Sequence, residues 1–352
     1  MTTPSTGMLG AIAQATLNDD VFCEDATTSN FEAEIASLCG HEAAAFVISG
    51  TMANQLSLRA LLHQPPHAVL AEANAHILSF EAGGMAYLSG ALAQPVQPSN
   101  GLYLRLEDVQ RHAVVTDDVH KCPTRVISLE QTSSGTVVPL QELRRIKAWA
   151  GSRGIAVHLD GARLWEAVAA SGYSVGDFAR CCDVLTVDFS KNLGAPMGAM
   201  VVGRRELVLR LRRIRKGIGG GLRQAGVLAA AARQALHETF GSGPRDTMGV
   251  LAACHQAAAR AARQWTSRGG KLLRPVETNI VWLDLKSAHI ESREWNEAGK
   301  RHGIKLDGKR LVLHHQIGRP AMEKLDAAMA EVTALAARRG ARGGGEVALA
   351  RL

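Results

Sequence analysis

The chain has 352 residues, 46% of them apolar and 4% aromatic, and carries a formal net charge of +7. That length suits one large and one small domain, with a core packed mainly by Ala, Leu, Val and Gly. No run of about 18 apolar residues free of charge occurs, which argues against a membrane-spanning helix.

Residues 1–20 contain no basic leader and end in Asp19-Asp20, so secretion and organelle import are disfavoured and a cytoplasmic location is expected. Asn30 is placed to cap a helix with Phe31, Ile35 and Leu38 on one face and Gly40 at its end. A buried-strand pattern follows at 44–48, then a Ser49-Gly50-Thr51 turn and a helix over 52–62. Further strands are expected at 68–71, 125–129, 155–159, 184–187 and 199–202, with helices between several of them, such as 140–150. This alternation predicts an α/β domain with a mostly parallel sheet. The pattern changes near Gly241-Ser242-Gly243-Pro244. A helix over 247–267, strands at 279–285 and 310–314, and helices at 292–302 and 320–338 describe a smaller α+β domain. The expected boundaries are 1–244 for the large domain, 245–340 for the small one, and a disordered tail over 341–352 that follows Gly340 and runs through Gly343-Gly344-Gly345.

The six cysteines show no CxxC pairing and no metal-ligand rhythm, so they read as reduced, packed thiols and no metal site is expected. Seven basic residues and one acid lie between Arg204 and Lys216, so nearly all of the positive excess is local. A broad basic face with interleaved aromatics is missing, and nucleic acid is not the expected partner. The stretch reads either as a solvated helix face or as an anion site at the helix end.

Four segments carry chemistry. Ser49-Gly50-Thr51 joins a strand to a helix; it can cap that helix or cradle a phosphate on its free amides. Asp160, in His158-Leu159-Asp160-Gly161, ends a strand, where ligands bind in open α/β sheets. It reads as a helix cap or as the carboxylate that keeps a pyridine nitrogen protonated. Lys191, in Ser190-Lys191-Asn192-Leu193-Gly194, follows a strand in a Gly- and Pro-rich turn, where an amine can form a Schiff base with an aldehyde. Lys216 to Arg223 brackets a glycine-rich loop that suits an anion or plain flexibility.

Together these segments resemble the low-specificity L-threonine aldolases, most closely the fungal type. The carrying stretches include FVISGTMANQ (46–55), HILSFEAGGMAYLSGA (76–91), HLDGARLWEA (158–167), FSKNLGAPMGAMVVG (189–203) and RKGIGGGLRQAG (215–226). The resemblance implies the fold of the fold-type I pyridoxal-phosphate enzymes and pyridoxal 5'-phosphate as cofactor. It implies that Lys191 forms the Schiff base, Asp160 pairs with the ring nitrogen, and Ser49, Gly50 and Thr51 bind the phosphate. His76 would stack on the ring and His120 lie near the substrate hydroxyl, either one serving as base. Arg163 would lie near the cofactor and the substrate carboxylate, and Arg310 would clamp that carboxylate. Lys216 and Arg223 would reach a neighbouring subunit's phosphate, implying a homo-oligomer, a dimer of dimers. The implied reaction cleaves threonine, allo-threonine and related β-hydroxy amino acids to glycine and an aldehyde. The second reading is an alanine racemase built on the same site, and a third, a basic binding protein, rests on 204–216 alone. Three positions depart from the family's pattern: Asn192 where Gly follows the lysine, Gln131 where Asn is usual, and Asp188 where a neutral residue is usual. Asn192 is expected to take the left-handed conformation of the glycine it replaces, and Asp188 to favour the charged form of Lys191.

Overall fold

The structure is a computed structural model that describes residues 1–241 and 248–349. The chain divides into two compact units, Met1–Ser133 with Val137–Gly249, and Ser134–Thr136 with Val250–Leu352. The expected boundary at 244 lies outside the described residues.

Short runs of Val, Leu, Ile and Ala, too brief for helices and rich in β-branched residues, become the strands of the larger unit. These are β1 (Ala43–Val47), β2 (Ala68–Glu72), β3 (Leu92–Val96), β4 (Thr124–Glu130), β5 (Ala156–Gly161), β6 (Val184–Asp188) and β7 (Ala199–Gly203). They form one sheet in the order β1-β7-β6-β5-β4-β2-β3. Only β7 runs against the rest, pairing antiparallel with β1 and β6. Strand β3 escapes prediction: it is a largely exposed edge strand containing Pro95, so it carries neither a buried run nor a clean alternation. Apolar residues of β1 and β7 pack with Leu56 and Ala60 of the helix Gly50–Leu61 and with Leu207 and Leu211 of the helix Arg205–Gly217.

The helix expected from Asn30 begins earlier, at Ala26. Asp25 caps it, accepting from the Thr28 amide at 2.8 Å, and Leu38 stays 40% exposed. Two of the seven basic residues of the stretch are neutralised internally. Arg215 is buried, donates to the Phe46 carbonyl and pairs with Asp20 at 3.0 Å, while Arg212 pairs with Glu32. Burial raises both carboxyls, Asp20 and Glu32, against the pull of these arginines. The stretch is therefore neither a purely solvated face nor a free anion site.

In the smaller unit, β8 (Lys271–Leu272), β9 (Ile280–Asp284) and β10 (Arg310–Val312) form an antiparallel sheet with β9 central. Trp265 and Trp295, both fully buried with ring centroids 6.1 Å apart, lie at the heart of its core. The last helix runs Arg319–Leu349 and does not stop at Gly340 as expected. Extending a helix already formed fixes one residue per hydrogen bond, which lets it pass glycines that could not start one. Residues 350–352 of the expected tail lie outside the described residues.

Candidate active site

The sheet direction gathers the functional side chains. Strands β1, β2, β4, β5 and β6 all end at one edge of the sheet, and their following turns carry Ser49-Gly50-Thr51, His76, Gln131 and Lys191. Asp160 is the penultimate residue of β5. In register it lies between Glu130 on β4 and Thr186 on β6, so the three share one face.

Asp160 is buried, with its Oδ1 accepting from the Ala162 amide at 2.9 Å and its Oδ2 from Asn54 Nδ2 at 2.7 Å. Asn54, on the helix Gly50–Leu61, is the hub of this region. Its Nδ2 also donates to Glu81 Oε1 at 2.8 Å, and its Oδ1 accepts from the Thr186 hydroxyl at 3.0 Å. Glu81 Oε1 in turn meets His76 Nδ1 at 2.8 Å, and Glu81 Oε2 accepts from Gln55 Nε2. Hydrogen bonding to Glu81 outweighs desolvation and raises the His76 pKa. The His76 amide donates to Glu130 Oε1 at 2.6 Å. Burial, reinforced by the neighbouring Asp160, pushes the Glu130 carboxyl up to about 8.

Ser49 is the N-cap of the helix Gly50–Leu61, accepting from the Met52 amide at 3.1 Å. The helix's first internal bond runs from Ala53 to Ser49, which leaves the Gly50 and Thr51 amides ahead of it, open to an anion. Lys191 stands in the β6–β7 connection. Phe189 anchors that turn in the core against Phe31 and Trp165, and Trp165 donates to the Asp188 carbonyl at 2.9 Å. The Thr2 hydroxyl donates to the Lys191 carbonyl at 2.9 Å. Asp188 is buried; its Oδ1 accepts from the Ser190 amide and hydroxyl, and its Oδ2 lies 3.9 Å from Lys191 Nζ. The same Oδ2 would be 2.9 Å from a Cβ at residue 50, so any larger residue there would push the Asp188 carboxylate from its place. The Arg163 amide donates to the Gln131 carbonyl at 3.2 Å, while its guanidinium forms no hydrogen bond or ion pair among the described residues. Burial lowers its pKa, partly offset by Glu166 and Asp188.

One departure resolves differently from expectation, and a second finds its own use. Asn192 does not take a left-handed conformation; Gly194 does, with φ of 90°, and Asn192 instead donates to Glu166 at 2.6 Å. Gln131 is longer than Asn and uses its length, clipping both the amide and the carbonyl of Val138.

His120 does not join the site of its own chain. It precedes β4, whose seven residues run from the opposite edge to Glu130, about 20 Å away. It is exposed and bonds only locally, to Asp118 at 2.9 Å. That far edge also borders a cavity of about 950 Å³ lined by His63, Arg125 and Arg210, remote from Lys191. Lys216 and Arg223 are exposed beside the glycine-rich loop, and Arg223 pairs with Asp19 at 3.2 Å. Arg310, in the smaller unit, opens β10 with its guanidinium 5.6 Å from the Trp282 ring centre. Asn54, Glu81 and Glu130 were not expected in the site. The one signal for them is polarity inside otherwise apolar surroundings, and it does not name a partner.

The sequence pattern of the beta-eliminating lyases matches residues 1–288. The chain belongs to that family. Among curated members it is 52% identical over 325 residues to alanine racemase TOXG of Cochliobolus carbonum, covering 92% of this chain and 84% of the relative. It is 39% identical over 331 residues to the low specificity L-threonine aldolase of Saccharomyces cerevisiae, covering 94% and 84%. A solved Leishmania major threonine aldolase superposes with a TM-score of 0.79 at 18% identity, covering 95% of this chain and 97% of that one, a likeness of fold. Enzymes of this family depend on pyridoxal phosphate. The donor set of this beta-eliminating lyase fits that group: a buried carboxylate for the ring nitrogen, a primary amine for the aldehyde, and an open helix N-terminus with a hydroxyl for the phosphate.

Proposed function

We propose that this lyase cleaves L-threonine and related β-hydroxy-α-amino acids to glycine and an aldehyde. The observation that carries the reading is the placement of Lys191, Asp160 and His76 at one sheet edge, with His76 held by Glu81. Lys191 holds the cofactor and Asp160 keeps its ring nitrogen protonated. Ser49, Gly50 and Thr51 bind the phosphate, and Arg163 and Arg310 bind the substrate carboxylate. When bound, pyridoxal phosphate supplies the sink for the electrons of the breaking Cα–Cβ bond. His76 presents Nε2 to the β-hydroxyl and accepts its proton as that bond breaks. Lys216 and Arg223 reach the phosphate of a neighbouring chain in a homo-oligomer, with a homotetramer in the cytoplasm as the working form.

A racemase reading is favoured by the 52% identity to TOXG. It would use the same site to remove and return a proton at Cα, with Lys191 and His76 as the two proton carriers.

The test is incubation of cofactor-loaded protein with L-threonine, L-allo-threonine and L-alanine. Glycine and acetaldehyde are expected from the first two. D-Alanine without any glycine would overturn the aldolase in favour of the racemase. Lys191→Ala is expected to lose both the product and the visible absorbance band of the bound cofactor; a retained band would remove Lys191 from its role.

A further inference from the structure

The turn that brings Glu81 to His76 is built against local preference. Ala82 takes φ of 52° and Gly83 φ of 72°, two consecutive left-handed residues that fold the chain back on the short helix His76–Ser79. A left-handed alanine is sterically disfavoured and persists only where the surroundings enforce it. What enforces it here is the seat of Glu81. Its side chain is fully shielded from solvent while that of His76 is 43% exposed. Asn54 and His76 share Oε1, and Gln55 takes Oε2. Gly84 is part of the seat, since a Cβ there would fall 2.8 Å from the Gln55 amide carbon.

We infer that Glu81 is a positioning residue that fixes the proton of His76 on Nδ1, so that Nε2 alone faces the open site as the proton acceptor. An ionised carboxylate only accepts, so the His76 nitrogen that meets Oε1 must be the protonated one. Asn54 extends the device, because the same Nδ2 that holds Glu81 also holds Asp160. The carboxylate proposed for the cofactor ring and the carboxylate on the base are thereby set by one amide.

The charged groups facing His76 are Glu81, Asp160, Lys191 and Glu130. Of these, Glu81 is in direct contact with the ring and is the largest influence on its proton affinity. The pairing supports His76 as base and rests on the retro-aldol reading only for its kinetic half.

The experiment is imidazole titration by NMR in cofactor-loaded protein, alongside the pH profile of threonine cleavage. The signal of His76, among thirteen histidines, is identified by its loss in His76→Gln. In Glu81→Gln the His76 midpoint is expected to fall by about one pH unit. The acid limb of cleavage should follow by the same amount, with a lower plateau because a weaker base is left. Glu81→Asp, which keeps the charge but withdraws it, should shift both in the same direction by less, and serves if the Gln variant does not fold. Gln55→Met frees the other oxygen of Glu81 and should leave the midpoint in place. An unmoved midpoint in both Glu81 variants overturns the inference whatever the activity. A midpoint that moves while the acid limb stays overturns His76 as the base that Glu81 serves. Absence of cleavage in the unaltered enzyme defeats the proposed reaction, and the titration still decides the Glu81–His76 pair.

Discussion

Asn54→Leu is the most informative perturbation of the larger unit. Leucine has the branching and heavy-atom count of asparagine, so the course of the helix Gly50–Leu61 is kept while every polar contact of residue 54 is lost. Three groups lose a partner: Asp160 Oδ2, Glu81 Oε1 and the Thr186 hydroxyl. Asn54 is 2% exposed, so water does not replace it. Two hydrogen bonds to carboxylates are worth about 1.5–3 kcal/mol each and the neutral one about 1 kcal/mol, together about 4–7 kcal/mol. Burying leucine in place of an amide returns about 1–2 kcal/mol. The expected net loss is about 3–5 kcal/mol. Urea unfolding followed by far-UV circular dichroism, with the transition of the larger unit fitted separately, measures it. A loss below about 1 kcal/mol would refute the reasoning, because it would mean that the two carboxylates find other donors or are not ionised together.

Two further outcomes follow from the same edge of the sheet. Gly161→Ala would put a Cβ 2.3 Å from the backbone oxygen of Thr186 on the adjacent strand, which cannot yield as a side chain would. A loss of about 3 kcal/mol or more in urea unfolding is expected, with weaker cofactor binding by absorbance titration because Asp160 is the preceding residue. Glu130→Gln tests the raised carboxyl. Its folded pKa of about 8 lies above the ordinary 4.5, so the folded chain holds this proton where the unfolded chain has lost it. Unaltered protein is thus penalised progressively as pH rises from 4.5 to 8, and the penalty is full above that. Glutamine lacks the charge and can still accept from the His76 amide. The variant should gain on the order of 3 kcal/mol relative to the unaltered chain between pH 5 and 8 in the cofactor-free state. A difference that does not grow with pH would show that Glu130 is ionised in the fold.

The strands were readable where burial on both faces leaves an unbroken apolar run, as in Val184 to Val187 or Ala199 to Val202. Strand β3 was not, because an exposed edge does not need such a run. The helix start was misread because Asn30 and Asp25 are both competent caps; the choice falls on Asp25 through its two bonds to Thr28, which are invisible until the turn before it is built. Lys191, Asp160 and Ser49 to Thr51 were legible because their place at strand ends is itself the signal. His120 lies away from them in its own chain for the complementary reason: a residue ahead of a strand is delivered to the other edge. Asn54 and Glu81 stand 27 positions apart, and what each does depends on the other, on Asp160 and on a left-handed turn at Ala82. Such a network is a property of the assembled sheet rather than of any segment.

The reversal of β7 has a mechanical result. Most functional turns of this edge run from a strand into a helix, so one end is pinned by the sheet and the other only by packing. The turn holding Lys191 leaves the sheet at Asp188 and re-enters it at Ala199, where those two residues face each other in register. It is a span supported at both ends, with Phe189 bonded across its base to Gly198. The amine proposed to hold the cofactor is thus mounted on a turn tied to the sheet at both ends, which limits how far its backbone can shift.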